Sequence, residues 1–265
     1  MKKTLIALAV AASAAVSGSA MAWTANGTGG SVDLGGTLTP ADKVTPWEVK
    51  VGTAVNSLDA VISKGDAKVD IPVKNAIQVL AIRTQLHEVF VGKNGITPQI
   101  NYHGALDTSG ISGSVGKLSL EIKDPADNKI GKMEANLLVA AQMNRKGLPN
   151  TSLSYVNDHS NMYAASTQEA FYGGLGINDQ SVSSSALGRI RAVFPDIYDN
   201  YIIQGTQDAI IADSQSTDNP EISYSAYYGS GIESGQKINI TLDQTVSGDA
   251  PIQWKASLPI TVSYM

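Results

Sequence analysis

The sequence predicts a mainly β domain, a sandwich or a barrel, that carries an inserted loop and helical region. Three observations lead to this prediction: apolar side chains recur at every second position in several short segments, turn residues separate those segments, and residues 183–213 show a helical pattern. Alternation with period two is typical of strands that bury one face. Hydrophobic residues make up 43% of the chain and charged residues 16%, which is enough apolar content for a folded core.

The predicted strands are short and follow one another closely. Their alternating apolar residues are Trp47, Val49 and Val51; Val69, Ile71 and Val73; Ile77 and Val79; Leu118, Leu120 and Ile122; Ile222, Tyr224, Ala226 and Tyr228; and Ile238, Ile240 and Leu242. Turn signals at residues 93–95 and 124–128 separate several of them. Many short strands with polar turns favour two packed sheets or a closed one.

The middle of the chain differs from this pattern. Residues 143–168 are polar and weakly periodic, which predicts a loop. Ser184 or Ser185 could cap a first helix that runs to Phe194, and Pro195 would end it and begin a second helix reaching about residue 211. Since no internal repeat or linker is visible, we expect one domain with an insertion at about 143–213.

The first 22 residues have the three parts of a secretory signal peptide. Lys2 and Lys3 are followed by an apolar run, and Ala20-Met21-Ala22 supplies the small-residue cleavage pattern. Cleavage between Ala22 and Trp23 would take the formal net charge from −5 to −7, which argues against nucleic acid as a partner. The chain has no cysteine, so an exported product would need a stabilising device other than disulfides.

The C-terminal segment carries the strongest alternation in the chain. Seven consecutive even positions are apolar or aromatic: Ile252, Trp254, Ala256, Leu258, Ile260, Val262 and Tyr264. This pattern predicts one long strand with a single buried face. Pro259 has no N–H group, so an edge position is favoured. A long apolar edge strand promotes aggregation unless something covers it.

The segment after the predicted cleavage site also alternates, but weakly. Its even positions are Thr28, Gly30, Val32, Leu34, Gly36 and Leu38, and its odd positions carry no apolar side chain. Glycine loses much backbone entropy and packs nothing, so this would be a poor strand alone. It suits a strand that is donated to a groove in another copy of the chain. The alternative is an ordinary first strand of a complete domain, and the pattern leaves both open.

Several segments resemble the FaeG-type major fimbrial subunits of enterotoxigenic Escherichia coli and their ClpG-like relatives. They are the signal at residues 1–9, Trp23, and the segments 30–36, 47–53, 171–175 and 260–264. The resemblance implies an incomplete immunoglobulin-like β-sandwich, completed by donor-strand exchange. Residues 23–40 would be the donated segment and residues 41–265 the pilin domain.

The resemblance also implies partners and a location. A periplasmic pilin chaperone would first supply the missing strand, an outer-membrane usher would assemble identical subunits, and the product would be an extracellular fimbria. The C-terminal strand would form the edge that the chaperone contacts, through Trp254, Leu258, Ile260, Val262 and Tyr264. A host glycan would bind through the insertion beside the sandwich.

Tyr163, Thr167 and Gln168 are the candidate glycan-binding residues. Tyrosine offers an apolar ring face to a sugar and a hydroxyl for hydrogen bonding, and the two polar side chains could bind sugar hydroxyls. No complete enzyme motif is present, since the two Ser-x-x-Lys matches lack their companion motifs. The three histidines lack the spacing of metal ligands. We therefore expect no catalysis, metal or cofactor. The competing hypotheses are a shaft subunit without lectin activity and a self-folding exported enzyme or binding protein.

Overall fold

The computed structural model describes residues 34–38, 44–204 and 208–265, with no side-chain description for residues 208–211. The chain divides into two units, residues 1–43 and 44–265. In the first unit, residues 34–38 have no regular secondary structure, and Leu34 and Leu38 are exposed. The predicted cleavage site and the predicted donor positions Thr28, Gly30 and Val32 lie outside the described residues.

The second unit is mainly β, with almost entirely antiparallel pairing, as the sequence predicts. Its strands are β1 Trp47–Val51, β2 Lys68–Pro72, β3 Ile77–Thr84, β4 Phe90–Val91, β5 Pro98–Asn101, β6 Val115–Lys123, β7 Lys129–Gly147, β8 Asn157–Met162, β9 Asp208–Asp213, β10 Ile222–Ile232, β11 Lys237–Leu242, β12 Lys255–Ala256 and β13 Thr261–Tyr264. The α-helix α1 spans Ala186–Val193, and a single 3-10 turn spans Asp179–Ser181.

Strand β7 organises the main sheet. The sheet runs in the order β1-β3-β10-β7-β11-β2, so β10 pairs with the C-terminal half of β7 and β11 with its N-terminal half. Strands β6 and β8 also pair with β7. Among the described strands the one parallel pair is β8 with β9, and β13 pairs with β5 in a separate two-stranded sheet. The fold class predicted from alternation is confirmed.

The alternation did not predict β7, the longest described strand. Residues 137–141 are a continuous apolar run, because both faces of the sheet are covered there. Leu137 and Val139 face the main core, whereas Leu138 and Ala140 face a second cluster under α1. Strand β8 also contradicts the prediction of loop across residues 143–168, since its polar residues pair with β7.

The helical prediction is half right. Helix α1 forms where expected, with Ser185 at its N-cap position. The second helix is wrong: residues 195–200 form turns, residues 201–204 are irregular, and β9 follows. The spacing of Ile197 and Tyr201 looks helical because both side chains pack into the cluster under α1 from successive turns, not from one helix face.

The C-terminal segment is not one long strand. It forms β12 on the edge of β6 and β13 on the edge of β5, and Pro259 lies in the irregular stretch between them. A proline cannot donate a ladder hydrogen bond, which accounts for the interruption. The predicted face is still visible: Trp254, Leu258 and the even residues of 260–264 are half-buried against the main core, and the odd positions are exposed.

Candidate functional site

A long apolar groove of about 870 Å³ opens along one half of the second unit. Its floor is the inner face of β2, β11, β7 and β6. The floor residues are Val69, Ile71, Leu118, Leu120, Met133, Ile238, Ile240 and Leu242. Ile77, Val79 and Ile232 close the end nearest the middle of the sheet. A floor of this composition favours an apolar occupant.

Two irregular segments form the sides of the groove. The first rim is residues 53–62, which follow β1, and the second rim is residues 246–258, which contain β12. Leu58 of the first rim, and Trp254 and Leu258 of the second, pack against the main core. Val61 and Ile252 are left exposed. The two rims therefore flank the groove and leave the space between them open.

Among the described residues, the backbone of both rims is largely unpaired. Within the described part of the chain, residues 53–62 and 247–254 make no backbone hydrogen bond to another residue. Edge backbone groups of this kind are a template for pairing with another strand. A strand placed between the rims could therefore form ladder hydrogen bonds on either side while burying alternate side chains on the floor.

The first rim is anchored at both of its ends. The Gly52 N–H donates to the Val79 carbonyl at 3.0 Å, and the Gly65 N–H donates to the Val246 carbonyl at 2.8 Å. Lys64 and Asp249 form an ion pair across the two rims beside the second anchor. These contacts fix the start of the first rim to β3 and join the two rims where the first one ends.

The predicted chaperone-edge residues lie along the second rim and its continuation. Trp254 and Leu258 line the groove itself, whereas Ile260, Val262 and Tyr264 pack against the main core beyond it. Burial raises the pKa of the Tyr264 hydroxyl, and a hydrogen bond with Thr45 opposes that effect. The C-terminal segment therefore joins the groove to the part of the fold where β1 begins.

The three predicted glycan-binding residues lie in one loop, residues 163–170. Tyr163 is half-buried directly after β8, and its N–H donates to the Asp213 carbonyl at 3.0 Å. Thr167 and Gln168 are exposed on a turn that the Glu169 carboxylate stabilises by accepting the N–H groups of residues 165 and 166. The loop is shaped by its own hydrogen bonds and presents all three side chains at least partly to solvent.

Sequence reasoning missed a second polar and aromatic surface, around Arg191 on α1. The guanidinium carbon of Arg191 lies 3.8 Å from the ring centroid of Tyr198. The Nη2 group of Arg191 donates to the Tyr227 hydroxyl at 3.0 Å. Burial raises the pKa of Tyr227 to about 12. The neighbouring Tyr201 is buried, and its hydroxyl has no hydrogen-bond partner within the described residues. No signal in the sequence indicated this grouping, because Arg191 and Tyr227 lie on elements that are distant in the chain, α1 and β10.

Other kinds of site were also sought in the described ranges. No group of three or more His, Asp or Glu side chains is placed there to hold a metal ion. None of the helices in those ranges combines the length and the apolar character needed to cross a membrane. The groove, with its apolar floor and two rims, is the candidate site that the described residues form.

Comparison with known proteins gives full-length matches. A family model described as "Fimbrial, major and minor subunit" matches residues 1–265. The chain is 31% identical to K88 fimbrial protein AC and 32% identical to K88 fimbrial protein AB, both of Escherichia coli. It is 30% identical to the F41 fimbrial protein of the same species. Each alignment covers the whole of both chains.

Proposed function

We propose a function from one premise: the chain belongs to the K88 family of major and minor fimbrial subunits. Proteins of this family are exported to the cell surface and are structural rather than enzymatic, which confirms the predicted location and the predicted lack of catalysis. Beyond that, we infer that copies polymerise by donor-strand exchange. Residues 28–38 of one copy would fill the groove of the next.

The observation that supports this mechanism is the groove, whose two rims have largely unpaired backbones among the described residues. The first rim has ten residues, and the proposed donor segment has eleven, so their extended lengths of about 35 Å match. Val32, Leu34 and Leu38 would point at the apolar floor. Burying each of them contributes about 1.5–3 kcal/mol. The glycines between them fit where the floor leaves little room for a side chain.

The position of the groove also suits a linear polymer. Its floor crosses β7 at Met133, whereas β1 begins level with Met143 of the same strand. Trp47 pairs with Thr84, and the preceding residue of β3, Arg83, pairs with Tyr227, which lies opposite Gln142. Ten residues of strand separate these two levels, or about 33 Å. A copy would therefore accept a strand in one half of its sheet and donate its own from the other.

A chaperone and an usher complete the proposal. An apolar groove of this size would aggregate if left open in the periplasm. A chaperone strand would pair with the backbone of the second rim, and the usher would then exchange that strand for the donor segment of another copy.

Expression with and without a pilin chaperone tests this function. The mature chain, exported to the periplasm alone, is expected to be degraded or to aggregate, because its groove would lack a strand from a chaperone or another copy. Coexpression with the chaperone should give a soluble one-to-one complex, measured by copurification and light scattering. An unrelated exported protein controls for secretion. A stable monomer without the chaperone would contradict the proposal.

A second role, adhesion to a host glycan, is supported by the 163–170 loop. The loop presents the half-buried ring of Tyr163 together with the exposed hydroxyl of Thr167 and amide of Gln168, which is the chemistry that sugars require. A subunit that builds the shaft without binding sugar is the competing function.

Assembled fibres on a glycan array decide between adhesion and a pure shaft role. If the loop binds the sugar, Tyr163→Ala should lower the affinity about tenfold or more, since one aromatic contact contributes about 1.5 kcal/mol. Tyr155→Ala is the control, because Tyr155 is a loop tyrosine outside the 163–170 loop and is more exposed than Tyr163. Fibres that bind no glycan would support the shaft role, and equal losses in both variants would argue against the loop.

A further inference from the structure

One end of the main sheet, where the chain enters β1 after the proposed donor segment, exposes several large apolar side chains. We call it the donor end: β1 begins there at Trp47, β3 finishes at Thr84, and β7 finishes at Gly147 opposite Ile222 of β10. Val44 is the first described residue of the second unit and directly precedes this end.

Large apolar side chains are exposed at the donor end. They are Val44, Leu86, Val89, Val91 and Ile203, whose exposed fractions are 89%, 60%, 40%, 50% and 53%. Scattered exposed apolar residues are normal, but a contiguous group marks an interaction surface. The residues next to these five in the chain make contacts that bring the five together.

Hydrogen bonds between neighbouring residues bring together the segments that carry three of the five: Val44, Leu86 and Ile203. The Gln85 N–H donates to the Pro46 carbonyl at 2.7 Å, which places Leu86 beside the segment that starts at Val44. On the other side of Leu86, the His87 Nδ1 lies 2.8 Å from the Asp199 carbonyl oxygen. The segment beginning at Asp199 leads within four residues to Ile203.

Strand β4 brings in the other two. Phe90 points into the core, with its ring centroid 5.0 Å from that of Trp47, so Val89 and Val91 on either side of it face outward. Val91 pairs with Ser223 of β10. The Gln204 side chain, next to Ile203, donates to the Ser223 carbonyl at 3.2 Å. The five side chains therefore border one surface, the donor-end patch.

The length of the chain outside the patch identifies what covers it. Six peptide units join Leu38, the last residue of the proposed donor strand, to Val44. Six units span at most about 21 Å when fully extended. A copy that holds Leu38 in its groove therefore cannot lie far from the donor end of the copy that donates. Exposed apolar surface at that distance is favourably buried against it.

We infer that the donor-end patch packs against the second copy of this chain that accepts the donor strand. This inference rests on the donor-strand function proposed above. It adds a contact outside the groove, which would orient neighbouring subunits and stiffen the fibre. The inserted strand alone leaves the two domains joined by a short tether and free to rotate about it.

Single-cysteine variants test the contact, because the chain contains no cysteine of its own. Leu86→Cys and Ile203→Cys probe the patch. Ile177→Cys is the control. The exposed fraction of Ile177, 39%, is close to the 40% of Val89, but its segment packs beside Ile111 and Ser181 near the start of β6. The measurement is the rate of maleimide alkylation in dispersed fibres and in the chaperone-bound subunit. We expect alkylation at 86 and 203 to be about tenfold slower in fibres, and at 177 to change less than twofold.

Each outcome separates this contact from the donor-strand mechanism. Fibres in which residues 86 and 203 react as fast as in the chaperone-bound subunit would overturn the patch contact and leave the mechanism standing. Protection in the chaperone complex but not in fibres would overturn it too, because the chaperone would then be the occupant. Failure of assembly in the patch variants alone would support it. Failure of all variants and of the unsubstituted chain to form fibres would overturn the mechanism and the contact together.

Discussion

Deleting residues 23–38 from the mature chain is expected to abolish fibre formation while leaving a soluble chaperone-bound subunit. The deletion removes the only segment proposed to enter a neighbour's groove, and it leaves both rims and the floor of the groove intact. The truncated subunit should therefore still accept a strand from an intact copy. Electron microscopy of the assembled material gives the fibre yield, and copurification with the chaperone shows whether the truncated domain folds.

Substitutions on opposite faces of the donor segment sharpen that test. Leu34→Asp puts a charge on the face that would meet the apolar floor, and burying it there without a partner is strongly unfavourable. Thr37→Asp puts the same charge on the face that would point to solvent. We expect Leu34→Asp to reduce fibre yield at least tenfold and Thr37→Asp to leave it nearly unchanged. Normal fibres from the deletion, or equal effects of the two substitutions, would contradict the donor assignment.

Half-buried strands were predictable from the sequence, and fully buried ones were not. The apolar residues of β2 and β11 alternate because one face of each meets the core and the other meets solvent. In β1 the same alternation buries only Trp47, and Val49 and Val51 are exposed. Strand β7 loses that signal at residues 137–141, since α1 covers its second face. A helix prediction from spacing alone failed at Ile197 and Tyr201 for a related reason: a buried turn can repeat apolar residues at intervals of four without being helical.

The groove could be predicted only in part. The even positions of residues 252–264 indicated an apolar edge that needs a cover, and the structure places Trp254 and Leu258 in the wall of the groove. The first rim gave no signal, because residues 53–62 form no strand in the described chain and their apolar residues do not alternate. If the first rim pairs with a strand from another copy, as proposed, it needs no alternating apolar face of its own.

Gly52 is the point at which the chain leaves β1 and becomes the first rim. A Cβ atom at this position would lie 1.8 Å from the carbonyl oxygen of Gln78. Contacts below 3.0 Å cannot be kept, and the obstacle is backbone, which no side-chain rotation can clear. The hydrogen bond from the Gly52 N–H to the Val79 carbonyl depends on this close approach. Any side chain at 52 must therefore push the start of the first rim away from β3.

The substitution Gly52→Ala is accordingly expected to weaken the hold of the groove on the donated strand by about 3 kcal/mol, or about 100-fold, since displaced backbone costs at the upper end of the range for overpacked sites. The measurement is the urea concentration at which assembled fibres release subunits. Gly188→Ala in α1 makes the same chemical change where no atom lies within 4 Å of the new Cβ, so its fibres should be at least as stable as the unsubstituted ones. If Gly52→Ala fibres dissociate at the same urea concentration as Gly188→Ala fibres, the first rim does not grip the donor strand. If they dissociate earlier while the chaperone-bound subunit keeps its β-sheet circular dichroism, the loss lies in the groove and not in the fold.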